Sequence, residues 1–406
     1  MIMKKVFKFI LTAAAGVLVL SCEGNKINTG LTAEEKAMKA AVEEYVPGVV
    51  YDIYGKLADE TENLYRQLAA MKGAASVSSA QVNAACTTFL NARSWWEKSE
   101  AFLFGAATNY GIDPHIDSWP LDLDALANAL SNAGAIAALD RDGAAATGYV
   151  GASALGFHGI EFILFRDGAA RDAACFSAAY NDEALGADGK TELIFATAVA
   201  EDLRNYCFEL QAAWDPGSPK DRVALVEDEL ELNTVMDSGL TFGENLLGAG
   251  EAGSTYKTWQ YAVSNILVAG CSNICNEVAN TKIGTAYYAA ADDTEAQDYI
   301  ESPYSKKSYV DFKDNILSIQ YSLYGSNGAT SASRTSLMHL LRENGYDKAA
   351  ELESALKAAV ASMDACINSG VAFVDDKKAA VAGTAIEKIN ALDVLLNDAA
   401  DWVAKL

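Results

Sequence analysis

His158 and Glu161 stand three residues apart in the stretch Gly156-Phe157-His158-Gly159-Ile160-Glu161. On a helix that spacing puts an imidazole and a carboxylate on one face, one turn apart. The stretch lies in an apolar run, residues 150–165, that ends at Arg166-Asp167-Gly168, a helix stop. A helix that is apolar all round is a buried helix, and a charged pair inside it needs partners. Gly151, Gly156 and Gly159 each weaken a helix by about 1 kcal/mol against Ala, so they predict close backbone approach. Two readings fit the pair. One is a metal pair, because imidazole nitrogen with carboxylate oxygen suits iron, manganese or zinc. The other is a hydrogen-bonded pair that only holds the core together. Two ligands do not make a site, so the metal reading requires further acids from elsewhere.

Glu97 and Glu100 are the natural suppliers, three apart beside Trp96 and the apolar Phe102-Leu103-Phe104. A solvated helix face shared with Lys98 is their plainer reading. Asp113 and Asp117, in the irregular stretch Asn109 to Asp122, could complete the shell; turn and cap chemistry is the alternative for both. Asp122 reads as the N-cap of the next helix. His115 and His339, the only other histidines, read as exposed or structural.

The elements that must position these groups are helices. Six Pro in 406 residues, abundant Ala, Leu and Glu, and no alternating runs of useful length predict an all-α protein. Thr32 with Glu35 is a capping box that opens a long helix to about residue 71, bent at Pro47. Further helices are expected over 79–104, 123–130, 150–165, 173–184, 191–214, 223–232, 256–282, 309–324, 334–343, 347–366 and 377–405. Ile112, Ile116 and Trp119 call for burial, so residues 109–122 read as an ordered loop. Asp215-Pro216-Gly217-Ser218-Pro219 marks a domain boundary. The expected organisation is two antiparallel helical bundles, 32–215 and 216–406, related by a distant duplication. The echo between Phe102-Leu103-Phe104-Gly105 and Ser322-Leu323-Tyr324-Gly325 is the only local sign of it.

Lys4, Lys5 and Lys8 precede an apolar run that closes on Val19-Leu20-Ser21-Cys22. That is the pattern of a lipoprotein signal peptide, residues 1–21, with lipidation at Cys22 and a polar tether over 22–31. The formal charge of −24 becomes −27 without the three Lys of that segment. Such a charge argues against nucleic acid as a partner and biases the surface towards cations. Beyond Cys22 there are Cys86, Cys175, Cys207, Cys271, Cys275 and Cys366, too sparse for a disulfide scaffold. Cys271 and Cys275 share a helix face and read as core.

Four segments in order, WEKSEAFLFG (96–105), IDPHIDSWPLD (112–122), GFHGIE (156–161) and ESPYS (301–305), resemble the imelysin-like family. Its mark is GxHxxE, matched in full by Gly156, His158 and Glu161. The resemblance implies an exported, two-bundle helical protein associated with bacterial iron uptake, in a family whose founding member was described as a peptidase. It also implies a metal site on Glu97, Glu100, His158 and Glu161, with an acid from Asp113 or Asp117. ESPYS would then lie near the cleft between bundles, although Ser302 or Ser305 as a helix cap is the plainer expectation.

The expected function is an envelope lipoprotein, anchored through Cys22 to the outer membrane and facing the periplasm. It would bind iron or an iron complex near the domain interface and hand it to an uptake transporter; zinc and manganese are compatible with the same donors. No catalytic residue is assigned. A metallopeptidase using the same His and Glu is the first alternative, weakened by the absence of HExxH. An envelope scaffold or polypeptide-binding module, with a purely structural His–Glu pair, is the second.

Overall fold

The structure, a computed structural model, describes residues 30–406. The expected signal peptide, the lipidation site Cys22 and most of the tether lie outside the described residues. The helices that build and support the site are α1 (Ala33–Tyr45), α2 (Asp52–Gly73), α3 (Ser79–Glu97), α4 (Gly156–Leu164), α5 (Gly189–Trp214), α6 (Trp259–Asn265), α7 (Ser308–Tyr324), α8 (Ala349–Asn368) and α9 (Ala380–Val403). Among the described residues the only strands are two antiparallel pairs of two residues each, so the protein is all-α. None of these helices is long and apolar enough to cross a membrane.

The local signals explain the ends. Thr32 Oγ1 accepts from the Glu35 amide and the Glu35 carboxylate accepts from the Thr32 amide, closing the capping box. The rod continues from α1 into α2 through a π-helical turn, Val46–Tyr51. Pro47 lacks an amide hydrogen, so the regular ladder cannot pass it and the chain widens by a residue. A second interrupted rod starts at α6. It runs through π turns at Ile266–Ser272 and Glu277–Ile283 to Tyr288.

Helices α2, α3, α4 and α5 pack together, as do α7, α8 and α9 with the interrupted rod. Helix α1 packs against α6 and the short helix Leu337–Glu343, so the first rod starts in one group and ends in the other. Helix α7 touches both α3 and α8, at the junction. One main buried cluster extends from Met38 to Val403 across both groups.

Several expected elements come out differently. The helix expected over 79–104 stops at Glu97, because Ser99 turns its hydroxyl back to the Trp96 carbonyl at 2.6 Å. Residues Glu100–Phe102 then form a 3-10 turn. The run at 150–165 is helical only from Gly156; its first part is irregular, since buried coil and buried helix carry the same apolar signature. Residues 173–184 form a 3-10 turn, Ala173–Phe176, and an edge of a strand pair instead of a helix. The expected 223–232 helix is Lys220–Ala224 followed by a π turn. The duplication echo does not extend to the backbone: Gly325 closes α7 in the left-handed region, whereas Gly105 opens the short helix Ala106–Asn109.

Candidate metal centre

Every residue of α4 is buried. Its glycines are there for contact. Gly156 has φ +65°, and a Cβ on it would lie 2.0 Å from the Ile116 carbonyl oxygen; a Cβ on Gly159 would lie 2.3 Å from the Ala154 oxygen. The irregular stretch can therefore rest directly on the first turn of α4. That contact sets Asp117 beside His158, with His158 Nε2 3.0 Å from Asp117 Oδ1. On the other edge of the imidazole, Nδ1 lies 3.4 Å from Glu161 Oε2. Glu161 Oε1 accepts from the Ser305 amide at 2.7 Å. Glu161 thus holds the ring and is itself held by the backbone, the arrangement that orients a ligand histidine.

Helix α3 delivers Arg93, Trp96 and Glu97. The Arg93 guanidinium, 1% exposed, bridges Asp117, Glu97 and Glu301, reaching Glu301 Oε1 at 2.5 Å. Its Nε lies 3.7 Å from Asp311 Oδ2 on α7. Trp96 Nε1 donates to Asp117 Oδ2 at 2.7 Å, and Asn315 Nδ2 donates to Glu97 Oε2 at 2.5 Å. The break after Glu97 is held by α7, where Ser318 Oγ accepts from the Ala101 amide at 3.0 Å. Glu100 is thereby aimed into the same interior as Glu97. A second buried cation, Lys282, comes from the π turn Glu277–Ile283 and approaches Glu301, Glu97 and Glu100.

Two groups of three residues place one donor atom each within 4.8 Å of one another: Asp117, His158 and Glu301, and Glu97, Glu100 and Asp117. Asp117 belongs to both. Asp113, one turn earlier on the short helix Asp113–Ile116, belongs to neither and is only partly buried. Glu161 also belongs to neither, being engaged by Ser305 and His158.

The electrostatics are those of crowded acids. Burial works to raise the Asp117 carboxyl, but Arg93 and His158 overcome it and hold the group well below the usual carboxylate range. Burial works to lower His158, but its bonds to Asp117 and Glu161 carry it up to about 9. Burial pushes Glu100 and Asp311 well up, and Glu301 up to about 7. Burial and the nearby Asp117 also raise Asp113 to about 7. Among the described residues, the buried Glu97, Glu100, Asp117, Glu161, Glu301 and Asp311 thus face two buried permanent cations, Arg93 and Lys282.

The donors fit a metal ion. Neither His158 Nε2 nor Glu301 Oε2 makes a hydrogen bond of acceptable geometry; each has an ion-pair contact instead, to Asp117 Oδ1 at 3.0 Å and to the Lys282 ammonium at 3.1 Å, and both residues belong to the first group. One imidazole nitrogen with carboxylate oxygens suits iron, manganese or zinc. No cysteine belongs to either group.

Sequence reasoning missed Arg93, Lys282, Glu301, Asp311 and Asn315. Arg93 had a signal, one turn before Glu97, and Lys282 had one as the single basic residue of a mostly apolar rod. The ESPYS segment was misassigned: neither Ser302 nor Ser305 caps α7, which has no side-chain cap. Instead Ser305 holds Glu161 through its amide, and Ser308 donates to the Glu301 carbonyl at 2.6 Å. His115 is half-buried, 2.7 Å from Asp202, and His339 is partly exposed. Cys271 and Cys275 are core residues, as expected.

The comparisons agree on the family. The profile of the imelysin family (peptidase M75) matches residues 50–399. Iron-regulated protein A of Synechococcus elongatus is 26% identical over 309 residues, 76% of this chain and 70% of that protein. A crystal structure described as an iron-regulated protein A precursor from Parabacteroides distasonis superposes with a TM-score of 0.74 at 22% identity, covering 92% of this chain and 96% of that one. An imelysin-like protein from Psychrobacter arcticum superposes with a TM-score of 0.60 at 14% identity over the same shares. Together with the intact GxHxxE stretch, the match over most of its length shows that the chain belongs to the imelysin family.

Proposed function

We propose that this protein is an envelope lipoprotein that binds a metal ion, iron in the first instance, through Asp117, His158 and Glu301. One observation carries the reading: Asp117, His158 and Glu301 each bring a donor atom within 4.8 Å of the others inside a buried nest where acids outnumber permanent cations. Crowding acids in a dry interior is costly, and a bound cation offsets that cost. Glu161 orients the imidazole, while Glu97, Glu100 and Arg93 shape the surrounding charge. Asp113 lies outside both donor groups. The choice of iron is supported by the iron-regulated relative in Synechococcus elongatus. The lipobox at Cys22 supports lipid anchoring in the envelope; an outer-membrane position facing the periplasm and a recipient transporter are further parts of the same proposal.

Binding is favoured over peptidase chemistry by burial. His158 is 2% exposed and Glu301 0%, so a peptide bond could not reach a metal held there without opening the junction. Titration of the purified full chain with Fe(II), Fe(III), Mn(II) and Zn(II), followed calorimetrically, tests the proposal. Tight binding that is lost in His158→Ala is expected. Equal binding by parent and variant would reject the site, and chelator-sensitive peptide cleavage lost in Glu161→Gln would replace the binding reading by the peptidase one.

A further inference from the structure

Lys282 sits where an ion would sit. Its ammonium lies 3.1 Å from Glu301 Oε1 and 3.1 Å from Oε2, 3.5 Å from Glu97 Oε2 and 3.7 Å from Glu100 Oε1. Three carboxylates from three segments surround one unit charge that is 1% exposed. The chain goes to some length to put it there. Lys282 follows Val278 and Ala279 and precedes Ile283, all fully buried, and Glu277 is the one other charge of its turn. It belongs to a π turn, and the wider turn brings Glu277 and Lys282, five apart, towards one line. The preceding π turn is pressed onto the segment that carries Glu100: a Cβ on Gly270 would lie 2.1 Å from the Ala101 oxygen. π turns inside helices recur at functional sites, and here two of them seat one lysine.

We infer that Lys282 is the resident cation of the inner acid cluster, Glu97, Glu100 and Glu301, and restricts the nest to one external metal ion on the His158 side. The inference rests on the reading of Asp117, His158 and Glu301 as the metal site and adds what sets its capacity. A lysine ammonium is a compact point charge with three donors, able to satisfy several carboxylates but not to leave a vacant coordination position. Replacing it by a neutral side chain of similar length uncovers an oxygen-only cluster. Such clusters take hard divalent ions such as Mn(II).

The test is a count of Mn(II) ions per chain by native mass spectrometry, on the full chain and on Lys282→Met. One ion in the parent and two in the variant is the expected result, with Lys282→Arg remaining at one. No ion in the parent and one in Lys282→Met would uphold Lys282 and reject the His158 site. Equal numbers in parent and Lys282→Met, whether none, one or two, would overturn the role given to Lys282; the parent's own number then reports separately on the His158 site. Should Lys282→Met not fold, Glu100→Gln/Lys282→Met removes one buried acid together with the buried cation and keeps Glu97, Glu301 and Asp117. This variant is expected to take the second ion too, with a larger rise in melting temperature on adding Mn(II) than the parent shows. An unchanged count and an unchanged rise would overturn the inference.

Discussion

Gly156 rests on the carbonyl of Ile116, so close that a Cβ would lie 2.0 Å from the oxygen. Ile116 is the neighbour of Asp117, and Gly156 is two residues before His158. The glycine of the motif therefore sets the spacing between the two side chains that meet at 3.0 Å. Gly156→Ala has to adopt φ +65°, a strain of about 1–3 kcal/mol, and also push backbone away from backbone. Urea denaturation is expected to show a loss of at least that size, together with weaker metal binding. Gly148→Ala, where a Cβ meets nothing within 4 Å, is the control and is expected to stay within about 0.5 kcal/mol of the parent. Equal stability of the two variants would remove this account of the motif.

His158→Ala leaves Asp117 its bonds from Arg93 and Trp96, so the fold is expected to survive at a cost of about 1–3 kcal/mol. Metal binding is expected to disappear. Glu161→Gln keeps the shape but weakens the hold on Nδ1, and a loss of about 10–100-fold in affinity is expected, as for other groups that orient a ligand histidine. If Glu161→Gln binds as tightly as the parent, Glu161 does not orient the ring.

Arg93 is a charge shared by four carboxylates. Removing one partner of a buried ion pair costs about 3–5 kcal/mol, and Arg93→Met takes a cation from Glu97, Asp117, Glu301 and Asp311 together. The variant is expected to lose at least that much in thermal or urea unfolding, or to fail to fold. Arg93→Lys is expected to recover only part of it, because an ammonium cannot reproduce the forked contacts. A mildly destabilised Arg93→Met would mean that the acids are neutral in the resting protein.

Glu209 offers a test by pH, away from the candidate centre. Its Oε2 is buried without a hydrogen bond, and burial pushes the carboxyl up to about 7 against the opposing backbone contact of Asn233. Tyr110 and Tyr206 face it and feel its charge. A raised carboxyl binds its proton more tightly when folded, so its stabilising effect is complete below the unfolded value and is lost as pH rises towards 7. Melting temperatures of the parent and Glu209→Gln at pH 5 and pH 8 check this. The parent is expected to lose more on going to pH 8, and parallel behaviour would count against a titrating Glu209.

The helical skeleton was legible because its signals are local. The Thr32–Glu35 box, the Asp122 cap, the burial of Ile112 and Ile116 and the apolar faces of Cys271 and Cys275 all follow from neighbours in the chain. The candidate centre was legible only in part. His158, Glu97, Glu100 and Asp117 could be nominated by type and spacing, but not the cations among them. Arg93 meets Glu301 across 208 residues, and no local pattern announces such a partner. The end of α3 was missed for a related reason: α7 accepts the amide of Ala101, so a distant hydroxyl stabilises the break. Helix continuity failed at Gly156 because its positive φ reflects a neighbour, Ile116, that belongs to another segment.

The rod made by α1, the π turn at Val46–Tyr51 and α2 has a consequence for how the protein can be cut and how it melts. Its first part covers α6 and Leu337–Glu343, while its second part packs on α3 and α5. A fragment beginning at residue 216 would expose the apolar surface that Met38, Ala41, Val42 and Tyr45 normally cover. Dividing the chain at that linker therefore gives pieces with sticky faces, not autonomous modules. The same rod ties the unfolding of one group of helices to the other, so heating is expected to produce a single cooperative transition, with the junction that holds His158 lost only when the whole molecule opens.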